Sequence, residues 1–227
     1  MIIIKTGVCG SIVQKTKDDI INTIKTANLD VLEYLELRVD VIDDVTSQLV
    51  GEIIEEVRDI TDKKIILTNR TKLEGGHYSG SEDERIKILA DNAHLVEYTD
   101  VELSTSDELI KKVVNSANKT IISYHNFKET PSIEFLEDII NKAYMFGDVA
   151  KVALKPNCMD DTYTIVKLLM RYDDFIGISM DSMGAYTRII GPVMGAPVTY
   201  AAIDSKSAPG QLTINETSTM IKKLRGI

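Results

Sequence analysis

Along the chain, short runs rich in β-branched and aliphatic residues alternate with segments whose apolar positions recur every three or four residues. The strand-like runs are residues 2–8 (IIIKTGV), 31–39 (VLEYLELRV), 64–70 (KIILTNR), 98–103 (YTDVEL), 120–125 (TIISYH), 149–154 (VAKVAL), 175–179 (FIGIS) and 198–203 (VTYAAI). Between them, DDIINTIKTAN, TSQLVGEIIEEVRDI, EDERIKILADNA and SIEFLEDIINKAYMF carry apolar residues at helical spacing. Eight strand–helix units, each of roughly 25–30 residues, predict a parallel α/β sheet closed into a (β/α)8 TIM barrel. A doubly wound open sheet shows the same alternation, and the strand count does not separate the two. No Pro- or Ser-rich linker and no break in composition interrupts the pattern, so residues 1–227 read as one domain.

Composition narrows the function classes. With 44% hydrophobic and 27% charged residues, the chain has the balance of a globular protein. No apolar run approaches the length of a membrane span, and MIIIKTG is too short for the core of a secretion signal. Cys9 and Cys158 are far apart, with neither a disulfide framework nor a zinc-ligand spacing, which points to a reduced, cytoplasmic setting. The net charge of -9 argues against nucleic acid and anionic membranes as partners. An anionic ligand would then need a local cluster of arginines, which directs attention to arginines at strand ends.

Charged side chains inside apolar strands are the candidate chemistry. In YLELRVDV, Glu36, Arg38 and Asp40 share one face, opposite Leu35, Leu37 and Val39. Strands of a parallel α/β sheet are normally apolar on both faces. A charged face therefore lines a polar cavity, or else neutralises itself as a structural ion-pair ladder. Arg70 ends the third strand run, with Glu74 four residues on, ahead of Gly75 and Gly76. Taken alone, Arg70 reads as a surface residue. His125 closes the fifth strand in SYHNF, on a face with Ser123 and Phe127, whereas His77 lies in a loop and His94 follows a helix. A strand-end histidine is structural or catalytic with similar frequency, and no second ligand at metal spacing accompanies it.

VAKVALKP places Lys151 and Lys155 four residues apart in a strand-like run. Burial of an amine favours its neutral form, which is the form that attacks a carbonyl. By position alone Lys155, nearer the strand's end, is the nucleophile. Beyond the seventh strand MGAYTRIIG carries Arg188, and SAPGQ follows the eighth. Loops at these two places often hold phosphate in barrels, while the glycines match no Walker or dinucleotide fingerprint.

Six of these stretches, in order, resemble the type I 3-dehydroquinase family: ELRVD, NRTKLEGG, SYHNF, KVALKP, MGAYTRIIG and SAPGQ, spanning residues 36–211. The resemblance implies a (β/α)8 barrel acting as a homodimer, without metal or organic cofactor, on a carboxylate substrate, 3-dehydroquinate, which it dehydrates through a lysine imine. It puts the imine on Lys151, the general acid/base on His125 and the orienting carboxylate on Glu74. Glu36, Arg38 and Arg70 match residues around the substrate's hydroxyls and reacting centre. Arg188 matches the carboxylate-binding arginine, Ser207 and Gln211 the closing loop, and Phe127 and Met183 apolar wall positions. Lys155 stands where the family usually has an apolar residue, and it becomes a neighbouring cation. Gly7 receives no role. Two other readings remain: a class I aldolase using a lysine imine on the same fold, and a barrel that only binds a small carboxylate.

Overall fold

The computed structural model describes residues 6–203 and 211–226. Eight parallel strands alternate with helices: β1 (Gly7–Ile12), β2 (Tyr34–Arg38), β3 (Lys64–Thr68), β4 (Tyr98–Glu102), β5 (Thr120–Asn126), β6 (Val149–Leu154), β7 (Phe175–Ser179) and β8 (Val198–Ala202). The ladder runs in the order β7-β6-β5-β4-β3-β2-β1-β8, so β8 pairs with β1 and the sheet curls into a nearly closed (β/α)8 barrel. The remaining side, between β7 and β8, is bridged by side chains around a helix (Thr187–Met194). The Ser179 N–H of β7 donates to Thr187 Oγ1 at 3.0 Å, and Thr199 Oγ1 of β8 donates to the Arg188 carbonyl at 2.7 Å.

The two-residue period of a strand separates the chain into an outer and an inner face. Outward residues such as Leu35, Ile65, Val101, Ile122 and Val152 pack with Ile24, Ile53, Leu89 and Ile140 of the surrounding helices in one apolar cluster. The inner face begins with a second apolar cluster at the barrel floor, including Cys9, Tyr34, Ile66, Ile121 and Val149, with Tyr98 against it. Two residues further along the same strands the interior turns polar, with Ser11, Glu36, Thr68, Asp100, Ser123 and Lys151 all buried. Burying these groups is tolerable only where they pair with one another, and they do.

Helix starts follow local chemistry. Thr16 and Thr46 cap the helices Lys17–Thr26 and Ser47–Ile60 by accepting the Asp19 and Leu49 N–H groups, and Ser81 forms a capping box with Glu84 at the head of Glu82–Asn92.

The first strand departs from the hydropathy reading. Its described part is the small-residue run GVCGSI from Gly7 to Ile12, which shares Gly7 and Val8 with the run 2–8 and continues beyond it; residues 2–5 lie outside the described residues. Gly7 is explained by packing, since a side-chain carbon there would lie 2.3 Å from the Tyr34 ring. The third strand stops at Thr68, two residues before Arg70. Cys9 is buried and Cys158 exposed, both as free thiols. Among the described residues no helix is long and apolar enough to cross a membrane.

Candidate active site

At the C-terminal mouth of the barrel a cavity of about 120 Å³ is lined by side chains from several strands and the loops that follow them. That end of a (β/α)8 barrel is where strand ends and loops converge, which is why its active sites gather there. The cavity meets Lys151 of β6, His125 of β5, Glu36 and Arg38 of β2, and Arg70 and Glu74 beyond β3.

Lys151 is buried, and its ammonium pairs with Asp100 Oδ2 at 2.9 Å. Asp100 also receives Arg70 Nη2 and the Ser123 hydroxyl on Oδ1, at 2.9 and 2.6 Å. Burial alone would raise the Asp100 carboxyl, but the Arg70 and Lys151 cations outweigh it and hold the group well below the usual carboxylate range. Arg70 continues outward through Nη1 to Glu102 Oε1 at 2.9 Å, and Glu102 Oε2 accepts from Arg85 Nη1 at 2.6 Å. An alternating row of charges thus runs from the helix Glu82–Asn92 to the lysine. Far from a surface residue, Arg70 is only 3% exposed.

The Lys151 nitrogen also sits 4.1 Å from the centroid of the Tyr200 ring on β8. Lys155, by contrast, follows the end of β6 at Leu154, is exposed and does not line the cavity. The charge beside Lys151 is therefore an anion, Asp100, rather than the second cation that strand alternation suggests. The chain leaves the strand at Leu154, so period-two alternation no longer sets where Lys155 points.

His125 and Glu74 form the second part of the site. Glu74 Oε2 accepts both the His125 backbone N–H and Nδ1, each at 2.9 Å, while Ser104 Oγ donates to Oε1 at 2.6 Å. Glu74 reaches this position from a single helical turn, Lys72–Glu74, that ends on Gly75 at φ 79°, a left-handed conformation suited to glycine. The same glycine lets the Phe127 ring approach, since a side-chain carbon there would lie 2.5 Å from it. Burial raises the Glu74 carboxyl to about 7 against the Ser104 hydroxyl and Arg70, which both favour its charged form. Burial, then Arg70 and Lys151, push the His125 ring well below its ordinary value, so it rests neutral. With Nδ1–H donated to Glu74, Nε2 keeps its lone pair for the cavity.

Two further groups complete the walls. Glu36 accepts from Ser11 Oγ at 2.7 Å and Thr68 Oγ1 at 3.0 Å. Arg38 is locked in a two-pronged pair with Asp40, both contacts at 2.8 Å.

Arg188 differs from the other arginines. It is buried, and its guanidinium makes one long contact, 3.4 Å from Nη1 to the Tyr200 carbonyl. Its Nε is buried without a hydrogen-bond partner, and among the described residues no carboxylate pairs with it. Burial drops its ordinarily very high value to about 10. An uncompensated buried cation at a cavity wall is the feature an anionic ligand would satisfy.

Comparison with known proteins bears on this arrangement. The model of the type I 3-dehydroquinase family matches residues 8–226. The chain belongs to that family. It is 39% identical to the 3-dehydroquinate dehydratase of Methanothermobacter thermautotrophicus over 219 residues, covering 96% of this chain and 97% of the relative. It is 38% identical to that of Methanobrevibacter smithii over 217 residues, covering 96% and 95%. The crystal structure of the Clostridium difficile type I 3-dehydroquinate dehydratase with covalent modified comenic acid superposes with a TM-score of 0.90 at 32% identity, covering 98% of this chain and 94% of that one.

Within this type I 3-dehydroquinase, the structure gathers Lys151, His125, Glu74, Glu36, Arg38, Arg70, Arg188, Phe127 and Gln211 around one cavity. Ser207 lies outside the described residues. Met183 does not line the cavity: it sits on the short helix Asp181–Gly184, 39% exposed, and the apolar wall comes instead from Met180 and Ile178. The sequence reading passed over Ser11, Asp100, Ser104 and Tyr200. For Asp100 a signal was present, a carboxylate in the middle of the apolar run YTDVEL.

Proposed function

We propose that this chain dehydrates 3-dehydroquinate to 3-dehydroshikimate, by syn elimination of water through an imine on Lys151. One observation carries the reading: a lysine amine, a neutral histidine and an arginine without a carboxylate partner among the described residues face a single cavity at the barrel mouth. Arg188 takes the substrate's carboxylate, with the planar fork that such an anion prefers. Glu36, Arg38 and Arg70 bound the part of the cavity that receives the ring hydroxyls. Gln211, buried on the same wall, closes it from the segment after β8.

The bookkeeping of the reaction is closed. The Lys151 ammonium gives up a proton, its nitrogen bonds to the ketone carbon, and the carbonyl oxygen leaves as water, so that ammonium plus ketone become iminium plus water. The iminium withdraws electrons from the adjacent carbon, and His125 Nε2 removes a proton there to give a neutral enamine. The enamine's electron pair then expels the hydroxyl one carbon further on. The His125 imidazolium supplies the proton that turns it into a second water, and the now conjugated iminium re-forms. Water hydrolyses that iminium, releasing the enone and returning the lysine ammonium. Glu74 fixes the ring tautomer and stabilises the imidazolium while the proton is held.

A class I aldolase would use the same lysine but would cleave a carbon–carbon bond, commonly in a phosphorylated substrate, whereas Arg188 offers a single buried fork matched to a carboxylate. A barrel that only binds a carboxylate has no use for an amine and a tautomer-fixed histidine in contact with its ligand. The test is addition of 3-dehydroquinate with detection of the ultraviolet absorbance of a conjugated enone. Absence of that absorbance, with phosphosugars cleaved or with ligand bound unchanged, would replace the reading by one of these two.

A further inference from the structure

The position of Tyr200 ties together two groups that the proposed chemistry uses separately. Its ring lies 4.1 Å from Lys151 Nζ, and its main-chain carbonyl accepts the long contact from Arg188. The side chain is 4% exposed and its hydroxyl, buried, has no hydrogen-bond partner. An unpaired buried hydroxyl is a cost to folding, so hydrogen bonding does not account for the placement of this ring. Its face, directed at the lysine nitrogen, does.

We propose that Tyr200 is a further catalytic residue, whose ring face carries the positive charge on the Lys151 nitrogen both as ammonium and as the iminium that replaces it. This rests on the imine reading above. Going from ammonium and ketone to iminium and water leaves one positive charge on the same nitrogen, and the ring face holds it more strongly as the planar iminium than as the ammonium paired with Asp100. Asp100 cannot serve them equally. It accepts a hydrogen bond from Nζ at 2.9 Å, and an iminium nitrogen keeps only one N–H where the ammonium had three. The attraction of a ring face for a cation needs no N–H donor and survives that loss. Because the carbonyl of the same residue contacts Arg188, β8 also sets the spacing between the reacting nitrogen and the carboxylate anchor. The phenol stays protonated, since burial, then Glu36 and Asp100, hold it well above its ordinary value; the ring therefore acts as a neutral π surface and not as a phenolate counter-ion.

The experiment compares Tyr200→Phe with the same position carrying mono-, di- and trifluorinated phenylalanine, which weakens the π face in steps at nearly constant shape. Removing an unpartnered hydroxyl leaves the fold intact, and thermal melts check each protein. The rate of borohydride trapping with 3-dehydroquinate should fall with each fluorine, by about 2- to 30-fold across the series. Affinity for a hydroxylated cyclohexane carboxylate lacking the ketone should stay constant, because the Arg188 contact is to the backbone. Equal trapping rates across the series, with trapping intact in the unaltered chain, would overturn the role of Tyr200 and leave the imine reading standing. No trapping in the unaltered chain would overturn both.

Discussion

Glu74 Oε2 and His125 Nδ1 stand 2.9 Å apart, and the same oxygen also accepts the histidine's own backbone N–H. One carboxylate oxygen thereby grips both the ring and the main chain of the residue proposed to move the proton. With Glu74 ionised, Nδ1 carries the hydrogen and Nε2 is free to act as base. With Glu74 protonated, its O–H donates to Nδ1, the ring hydrogen moves to Nε2 and the base is blocked.

This gives a pH dependence whose sign is set by Glu74. Its carboxyl is raised to about 7, so the active tautomer is present above that pH and lost as pH falls through it. The kcat profile should show an acidic limb near 7. Glu74→Gln should lower kcat and remove that limb. A limb persisting unchanged in the variant would assign it to another group.

His125→Ala should lower kcat by roughly 10²–10⁴-fold, the range for removal of a general acid/base. The lysine is untouched, so the variant should still yield a borohydride-trapped adduct. Turnover near that of the unaltered chain would make the histidine structural.

Arg188→Ala should raise KM for 3-dehydroquinate strongly. Truncating one partner of a buried charge-assisted pair costs about 2–5 kcal/mol, part of it the stranding of the anion. Arg188→Lys keeps the charge and loses the planar fork, so it should recover only part of the affinity. Isothermal titration with the ketone-free carboxylate separates binding from chemistry. Unchanged affinity in Arg188→Ala would mean that the carboxylate sits elsewhere.

How much of this could be read from the chain depends on the range of the interactions involved. The strand–helix alternation is local, and all eight strand runs overlap the strands observed, the first of them only at Gly7 and Val8. At β1 the overlap is smallest, because the described strand continues through the small-residue run GVCGSI, where a side-chain carbon at Gly7 would collide with the Tyr34 ring. Position alone favoured Lys155 and only the family resemblance chose Lys151, yet both lysines, His125 and Arg188 were legible as candidates because such groups in or beside apolar strands demand an explanation. Their partners were not, because a contact such as Lys151 to Asp100 joins residues 51 positions apart, and sequence spacing does not encode it. Lys155 was read beside the nucleophile because strand alternation was carried past Leu154, where β6 ends. Met183 was expected at the apolar wall from the family resemblance alone, and among the described residues it lies on the helix Asp181–Gly184, away from the cavity lining.

Asp100 also governs stability. Its carboxyl is depressed by Arg70 and Lys151 against burial, so its contribution is fully present above its ordinary value of 3.8 and is lost as pH falls below that. Asp100→Asn should cost about 3–5 kcal/mol at neutral pH, the range for breaking a buried pair from one side. Urea melts should show the gap between the two proteins narrowing as pH drops below that value. A gap independent of pH would show that the loss is steric.

The choice between the two lysines of VAKVALKP can be decided chemically. Lys151 is 5% exposed, faces the cavity and lies between Asp100 and the Tyr200 ring. Lys155 is exposed, beyond the end of β6, and tied to β5 only by its backbone N–H, which donates to the Asn126 carbonyl at 2.9 Å. A ketone held at Arg188 inside the cavity meets the first amine and not the second. Borohydride reduction with 3-dehydroquinate should therefore place the adduct on Lys151, as read by peptide mapping. Lys151→Ala should abolish both trapping and turnover. Lys155→Met removes a solvated charge that touches no part of the cavity, so trapping and substantial turnover should persist. An adduct mapped to Lys155 would require β6 to extend and rotate its last residues inward, and would overturn the assignment of the nucleophile.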